Sequence, residues 1–309
     1  MSQLTFSEVA TLWKEDKRQW VKPASYAVYL QLCNNYLLPV FGDKKAFDEA
    51  LIQSQANSLL SQGYSIKTVK DTMLVLRMIL RFGEKLKVWP HLEFSVHFPT
   101  RNNGPFPAQT LSIQQQRLLL DYLQGHFSFR NLGLRICLET GLRIGEICGL
   151  QWMDMDLESG AIHVRKTVQH IYLADSEKKD YFLSIGTPKT ASSVRDIPMS
   201  SALKALLRPF KKVMDPAHYV LSNAESPITP KTYRNYFYKL LQSLGIPHVC
   251  FHALRHSFAT RCIESKCDYK TVSAILGHAS LSTTMDLYVH PDFSEKKKAI
   301  ERMTRMVRV

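Results

Sequence analysis

Acidic side chains are the scarce class in this sequence. Asp and Glu total 27 against 40 Lys and Arg, a net charge of +13 over 309 residues with neutral histidines. That deficit points to a polyanionic partner, with nucleic acid first and an anionic membrane surface second. The membrane reading finds no support in an uninterrupted apolar run of spanning length or in a lipidation motif, because the sequence has neither. The first twenty residues carry Glu8, Lys14, Glu15, Asp16, Lys17 and Arg18, which a secretory signal would not. Six cysteines, at 33, 137, 148, 250, 262 and 267, form no Cys-x-x-Cys pair. They read as buried free thiols of a cytoplasmic protein. There is no Gly-x-x-x-x-Gly-Lys-Ser/Thr loop for a nucleotide phosphate, no internal repeat and no low-complexity segment. With 45% hydrophobic residues, wholesale disorder is excluded.

What is present divides into two textures. Residues 1–88 read as a bundle of four helices. "TFSEVATLWKEDKRQW" is amphipathic. "PASYAVYLQLCNNYLLPVFG" opens on a proline suited to a first turn and is expected to stop at Pro39 and Gly42. "FDEALIQSQANSLLSQG" is expected to end at Gly63. "SIKTVKDTMLVLRMILRFGEKLK" starts at Ser65, a good N-cap. In that helix Val69, Met73, Leu76 and Leu80 make the core face. Lys70, Arg77 and Arg81, with Lys67 nearby, make a basic face that is either merely solvated or placed to hold a DNA backbone. Residues 89–110, with four prolines and no helical period, read as an extended linker.

Residues 111–309 read as mainly helical with a small antiparallel β-sheet. Ser112 and Gln115 match a capping box. "GAIHVRKTVQHIYL", "YFLSIGTP" and "VRDIPM" are the three expected strands. Helices resume at "SSALKALLRPF" and "KTYRNYFYKLLQSLG". A tail helix over 294–307, capped by Ser294, carries an apolar stripe of Ile300, Met303 and Val307.

Four short texts carry candidate chemistry. In "TGLRIGEICGLQW", Arg143 and Glu146 stand three apart; they are either an ordinary helix pair or a buried arginine fixed by its carboxylate, with donors left for a phosphate. In "TPKTASSVRDIPM", Lys189 sits at a strand end or turn. In "HALRHSFATRC", His252 and Arg255 share a helix face. In "LGHASLSTTMDLYVH", His278 follows Gly277 and Tyr288 comes ten residues later. "MDMDLE" offers Asp154, Asp156 and Glu158, which read as the turn into the first strand rather than as a metal site.

Together, in this order across residues 111–290, these texts resemble the tyrosine recombinase (phage integrase) family. That family is marked by Arg-x-x-Glu, a lysine on a β-turn, His-x-x-Arg, Leu-Gly-His and a following tyrosine. The resemblance extends by helical patterning to residues 5–88, as a core-type DNA-binding domain. Gln151 departs from the family, which often has a basic residue before the tryptophan. The resemblance implies that Arg143 and Arg255 clamp the phosphate, Lys189 is the general acid, His252 helps accept the tyrosine proton and His278 hydrogen-bonds the phosphate. Glu146 orients these groups, and Tyr288 is the nucleophile that forms a 3′-phosphotyrosine bond. It further implies double-stranded DNA as substrate, no cofactor, no metal and no ATP. A homotetramer on two DNA sites is the implied assembly, and accessory DNA-bending or directionality proteins are compatible with it. Because the core-binding pattern begins almost at residue 1, no arm-binding domain is expected. That leaves a simpler recombinase or a mobile-element integrase. Two rival readings are a type IB topoisomerase, chemically close, and a non-catalytic helix–turn–helix regulator built on "KTVSAILGHASLSTTMDLY". The second leaves Arg143, Lys189 and His252-x-x-Arg255 without a role.

Overall fold

Thr5 sets the first helix. Its side chain accepts from the Glu8 amide at 3.3 Å while the Glu8 carboxylate accepts from the Thr5 amide at 2.7 Å, a reciprocal cap that fixes the start of α1 (Phe6–Trp20). Phe6, Val9, Ala10 and Trp13 then fall on one buried stripe. The computed structural model describes residues 4–99, 109–175, 178–188, 191–278 and 293–307, with Ser280, Ser282 and Met285. The chain divides into two compact units, one of residues 1–104 with 171–182, the other of residues 105–170 with 183–309.

In the first unit α2 (Pro23–Leu32) does not stop where Pro39 was expected to end it. A wide π-turn over Cys33–Leu37 carries the chain into α3 (Leu38–Phe41), with Pro39 inside the helical run. The extra residue in the turn relaxes the tight spacing on which a proline ring would otherwise clash, and Pro39 falls in the first turn of α3, where no amide donor is needed. Asp48 caps α4 (Glu49–Ser61), and Ser65 caps α5 (Ile66–Lys85) by accepting from the Thr68 amide at 3.1 Å. Val69, Met73, Leu76 and Leu80 are buried, as their spacing predicts.

The expected linker is different in its first half. Residues 91–99 are extended, but they form a strap on the helices of this unit. Trp89 and Phe94 are in its core. The Ser95 amide donates to the Glu49 carboxylate at 2.9 Å, and the His97 amide to Gln53 at 2.8 Å. Arg77 donates to the Phe94 carbonyl at 2.9 Å. The prolines forbid a helix; the aromatic residues between them supply apolar area that water disfavours.

In the second unit the Ser112–Gln115 capping box opens α6 (Ile113–Gly125), and α7 (Phe129–Thr140) ends at Gly141 with φ 66°. α8 (Ile144–Cys148) follows at once. Among the described residues five strands stand where three were expected. β1 (Met155–Asp156), β2 (Ala161–Val164) and β5 (Arg195–Pro198) form an antiparallel sheet in the order β1-β2-β5, with Ile162 opposite Ile197 and Val164 opposite Arg195. β3 (Thr167–Asp175) and β4 (Lys178–Gly186), whose residues 171–182 are counted with the first unit, form a separate two-stranded sheet. The single strand expected over "GAIHVRKTVQHIYL" therefore breaks at Arg165–Lys166, where the Arg165 guanidinium turns back to the Arg195 carbonyl at 3.0 Å. α9 (Ser201–Lys211), α10 (Pro230–Ser243), α11 (His252–Glu264) and α12 (Tyr269–Leu276) complete the packed body around Trp152, Tyr233, Phe237 and Leu254. The last helix, α13 (Phe293–Val307), begins one residue before the expected Ser294. Its stripe is open to solvent: Ile300 is 63% exposed, Met303 57% and Val307 73%. No helix among the described residues is long and apolar enough to cross a membrane.

Candidate active site

The C-terminus of α12 organises the site. A helix leaves its last carbonyls without intrahelical partners, and they carry the negative end of the helix dipole. Here three consecutive ones are each taken by a different arginine. Arg195 donates to the Ile275 carbonyl at 2.6 Å, Arg255 to that of Leu276 at 2.8 Å and Arg143 to that of Gly277 at 3.1 Å. The next residue is His278. Residues far apart in sequence, from α8, β5, α11 and the end of α12, thus converge within one helical turn.

Each arginine has a second anchor. Arg255, 1% exposed, donates from its other terminal nitrogen to the Gly141 carbonyl at 2.9 Å. The chain can turn that carbonyl inward because Gly141 is left-handed, and a β-carbon there would stand 2.7 Å from Leu276 and 2.8 Å from Phe258. Arg143 donates to the Glu146 carboxylate at 2.7 Å, and its own amide to the other oxygen at 2.9 Å. Its side chain is 33% exposed, so part of the guanidinium still faces solvent.

Glu146 is the centre of this frame, its carboxylate almost wholly buried. Besides Arg143 it accepts two bonds from Arg195, at 3.1 and 3.0 Å. Four bonds on two oxygens satisfy the ion. Burial alone would raise its pKa, but the bonds and charges of Arg195 and Arg143 outweigh that and hold it below the usual carboxylate value. The bland reading of Arg143 and Glu146 as an ordinary surface pair does not fit a carboxylate buried this deeply.

The two histidines are neutral at pH 7. His252 is pushed down to about 4, first by the protein crowded around its ring and then by His256, Arg255, Arg143 and His278. His252 keeps an edge open to solvent. His278, half-buried, is also pushed down to about 4, by burial and then by Arg255, Arg143 and Arg195. His252 and His256 pack edge to face with centroids 4.6 Å apart. His256 was not picked out by the pattern reading; it lies one turn beyond His252 in "HALRHSFAT", and that spacing is its only signal.

Arg195 was also missed, and here a signal exists. In a strand whose Ile197 points inward, residue 195 points inward too, and an inward arginine requires a carboxylate. Lys189 and Tyr288 lie outside the described residues. Gln151 is not a bare replacement of a basic residue: its side-chain oxygen accepts from Lys166, and its amide donates to the Ala217 carbonyl at 2.6 Å. Asp154 and Asp156 act within their turn, accepting from the Gln151 amide at 2.9 Å and from the Glu158 amide at 2.8 Å.

The basic face of α5 divides. Lys67 pairs with Asp71 at 3.0 Å and is otherwise in solvent. Lys70 lies over the Phe98 ring. Arg77 lies over the Phe94 ring, 4.6 Å from its centroid, while bonding the Phe94 carbonyl. Arg81 is exposed. Arg77 is therefore held against the strap by one carbonyl and one ring.

Comparisons with known proteins bear on the family and the fold. The profile of the "Phage integrase family" matches residues 109–295, and that of "Phage integrase, N-terminal SAM-like domain" matches residues 5–46. A "Tyrosine recombinase XerC-like" protein of Caldanaerobacter subterraneus subsp. tengcongensis is 26% identical over 97% of this chain and 83% of its own. In fold, the chain is similar to the Tn1549 transposon integrase in complex with transposon right end DNA, with a TM-score of 0.77 at 22% identity, covering 97% of this chain and 100% of that one. It is also similar to a lambda integrase tetramer bound to a Holliday junction, with a TM-score of 0.64 at 15% identity, covering 94% of this chain and 80% of that one. With the family profile spanning more than half of its length, the chain belongs to the phage integrase family and is a tyrosine-type site-specific recombinase.

Proposed function

We propose that Arg143, Lys189, His252, Arg255, His278 and Tyr288 together cut and rejoin double-stranded DNA through a 3′-phosphotyrosine intermediate. The observation that carries this reading is the capture of the Ile275, Leu276 and Gly277 carbonyls by three arginines, which sets two cationic side chains and a neutral histidine around one position. A tyrosine hydroxyl has a free pKa near ~10 and attacks phosphorus poorly at neutral pH. Arg143 and Arg255 neutralise the non-bridging oxygens as the pentavalent transition state forms. His252, unprotonated at pH 7, takes the Tyr288 proton as the charge of the transition state develops beside it. His278 donates a hydrogen bond to the phosphate. Lys189 gives a proton to the departing 5′ oxygen. The new P–O bond replaces the broken one, so a second 5′-hydroxyl reverses the step with no external energy source.

The two units suggest a division of labour. Residues 1–88 form a core-type DNA-binding domain, 89–110 connect it, and 111–309 form the catalytic domain. On α5, Lys67, Lys70 and Arg81 approach the DNA backbone, and Arg77 does so only through the strap it holds. The exposed stripe of α13 supports a homotetramer on two DNA sites, since a helix of this length must bury its apolar side somewhere. Accessory DNA-bending or directionality proteins and a cytoplasmic site of action fit the same reading. Truncation after Asp292 should leave single-site binding intact and abolish synapsis in native gel shifts. Undiminished strand exchange by the truncated chain would overturn the tail's role. The chemistry is tested by incubation with nicked suicide DNA: the wild type becomes covalently attached, whereas Tyr288→Phe binds the same DNA and releases it on denaturation. An adduct on the Phe variant would remove Tyr288 from its role.

A further inference from the structure

We propose that Arg195 is a positioning residue for strand cleavage: from inside the protein it sets Arg143 and His278 in register on the scissile phosphate. The proposal rests on the reading of Arg143 and His278 as phosphate ligands.

All three nitrogens of the Arg195 guanidinium are engaged with protein groups, which suits it to hold other side chains in place. Nε donates to the Ile275 carbonyl at 2.6 Å, Nη2 to Glu146 at 3.0 Å, and Nη1 to Glu146 at 3.1 Å and to the Ser193 carbonyl at 3.0 Å. Two of these partners lead to a functional group. Glu146 holds Arg143 through two bonds. Ile275 is three residues before His278. Arg195 therefore joins the mountings of Arg143 and His278.

The packing around it is equally restrictive. Gly277 lies against Arg195 with φ 66°, and a β-carbon there would stand 2.9 Å from Cδ of Arg195 and 2.7 Å from the Ser192 carbonyl. The absence of a side chain at 277 is what lets the end of α12 close down on the arginine. The geometry also requires a fork. A lysine has one nitrogen and cannot meet a carboxylate in two bonds while reaching a carbonyl on another side. Charge alone would be kept by lysine; the register would not.

The bland alternative is a buried ion pair that only stabilises the fold. The two differ in what they do to the chemistry. Cleavage of a nicked suicide substrate would be measured in single turnover on a normal scissile phosphate and on a methylphosphonate, which has no negative charge to neutralise. Single-site affinity and melting temperature would be read alongside. If Arg195 acts through Arg143, Arg195→Lys should slow cleavage of the phosphate about 100-fold, the scale of losing an oxyanion donor. Affinity should change little, and most of the loss should disappear on methylphosphonate, in parallel with Arg143→Ala. Equal loss on both substrates for Arg195→Lys, with Arg143→Ala still relieved, would overturn the positioning role and leave the Arg143 reading standing. Failure of methylphosphonate to relieve Arg143→Ala would instead overturn the reading of Arg143, and the proposal with it. Should Arg195→Lys not fold, Gly277→Ala pushes the same contact apart from the other side and should show the same selective relief; uniform loss on the two substrates would count against the proposal.

Discussion

Arg195 and Arg77 both lie on faces that simple periodicity reveals, one on a strand and one on a helix, and the protein holds them in opposite ways. Arg195 is enclosed, with a carboxylate and two carbonyls around it. Arg77 is half-buried under a strap, with one carbonyl and one ring. In the catalytic region a misplaced cation defeats the chemistry, so several bonds from different elements fix each guanidinium. In the helical unit Arg77 is held by only one carbonyl and one ring, and Arg81 is exposed. Order in a charged group therefore distinguishes chemistry from attraction here better than the presence of charge does.

The sharpest way to break that contrast is Lys189→Ala. If Lys189 protonates the leaving oxygen, cleavage should fall by roughly 10²–10⁴-fold. A 5′-bridging phosphorothiolate, whose leaving group needs no proton, should recover most of it. Equal loss on both substrates would make Lys189 a binding residue. Next comes Glu146→Ala, which leaves Arg195 buried with its main counter-charge gone. The cost to folding should be about 3–5 kcal/mol in urea unfolding. A loss below about 1 kcal/mol, the scale of an exposed pair, would mean that the frame is not rigidly enclosed.

The sequence made legible the part of this frame that stands in short motifs and hid the part that does not. Arg143, Glu146, His252, Arg255 and His278 stand in short motifs because the chemistry dictates residue type and spacing together. Arg195 has no motif, because its role is set by three segments that only the fold brings together; the inward parity with Ile197 was its one trace. The strand break at Arg165–Lys166 was hidden for a similar reason, since the Arg195 carbonyl that receives Arg165 is thirty residues away. The caps at Ser65 in the helical unit and Ser112 in the second unit were local and readable. The run through Pro39 was not, since proline normally stops a helix and only the π-turn relieves it. The strap was read as a linker because extended segments have no period by which their buried aromatics can be told from exposed ones.

The helical unit offers a smaller test. Arg77→Ala removes a charged hydrogen bond and a ring contact, so that unit should lose about 1–3 kcal/mol. The slope of log affinity against log salt should stay nearly unchanged. Arg81→Ala should do the reverse, with stability within about 0.5 kcal/mol and the slope shallower by roughly one. Exchange of these two outcomes would return Arg77 to the DNA-facing set.

A separate effect is expected on the pH dependence of folding. His252 and His278 have folded pKa values of about 4 against an ordinary 6.5. Between those values the unfolded chain binds more protons than the folded one. Stability from these rings is therefore whole above about pH 6.5 and declines as pH falls towards about 4. Thermal melts of the wild type and of a His252→Gln, His278→Gln double variant should diverge above this window and converge below it. A constant difference across the window would contradict the neutral-histidine site.

The claim that the arginine-capped end of α12 serves a tyrosine nucleophile is tested most directly by locating the covalent bond. Wild-type protein would be trapped on nicked suicide DNA, digested with protease and nuclease, and the modified peptide identified by mass spectrometry. The expected result is a nucleotide joined through its 3′-phosphate to Tyr288. A nucleotide on any other residue, or no covalent complex on DNA that the protein demonstrably binds at its site, would contradict it.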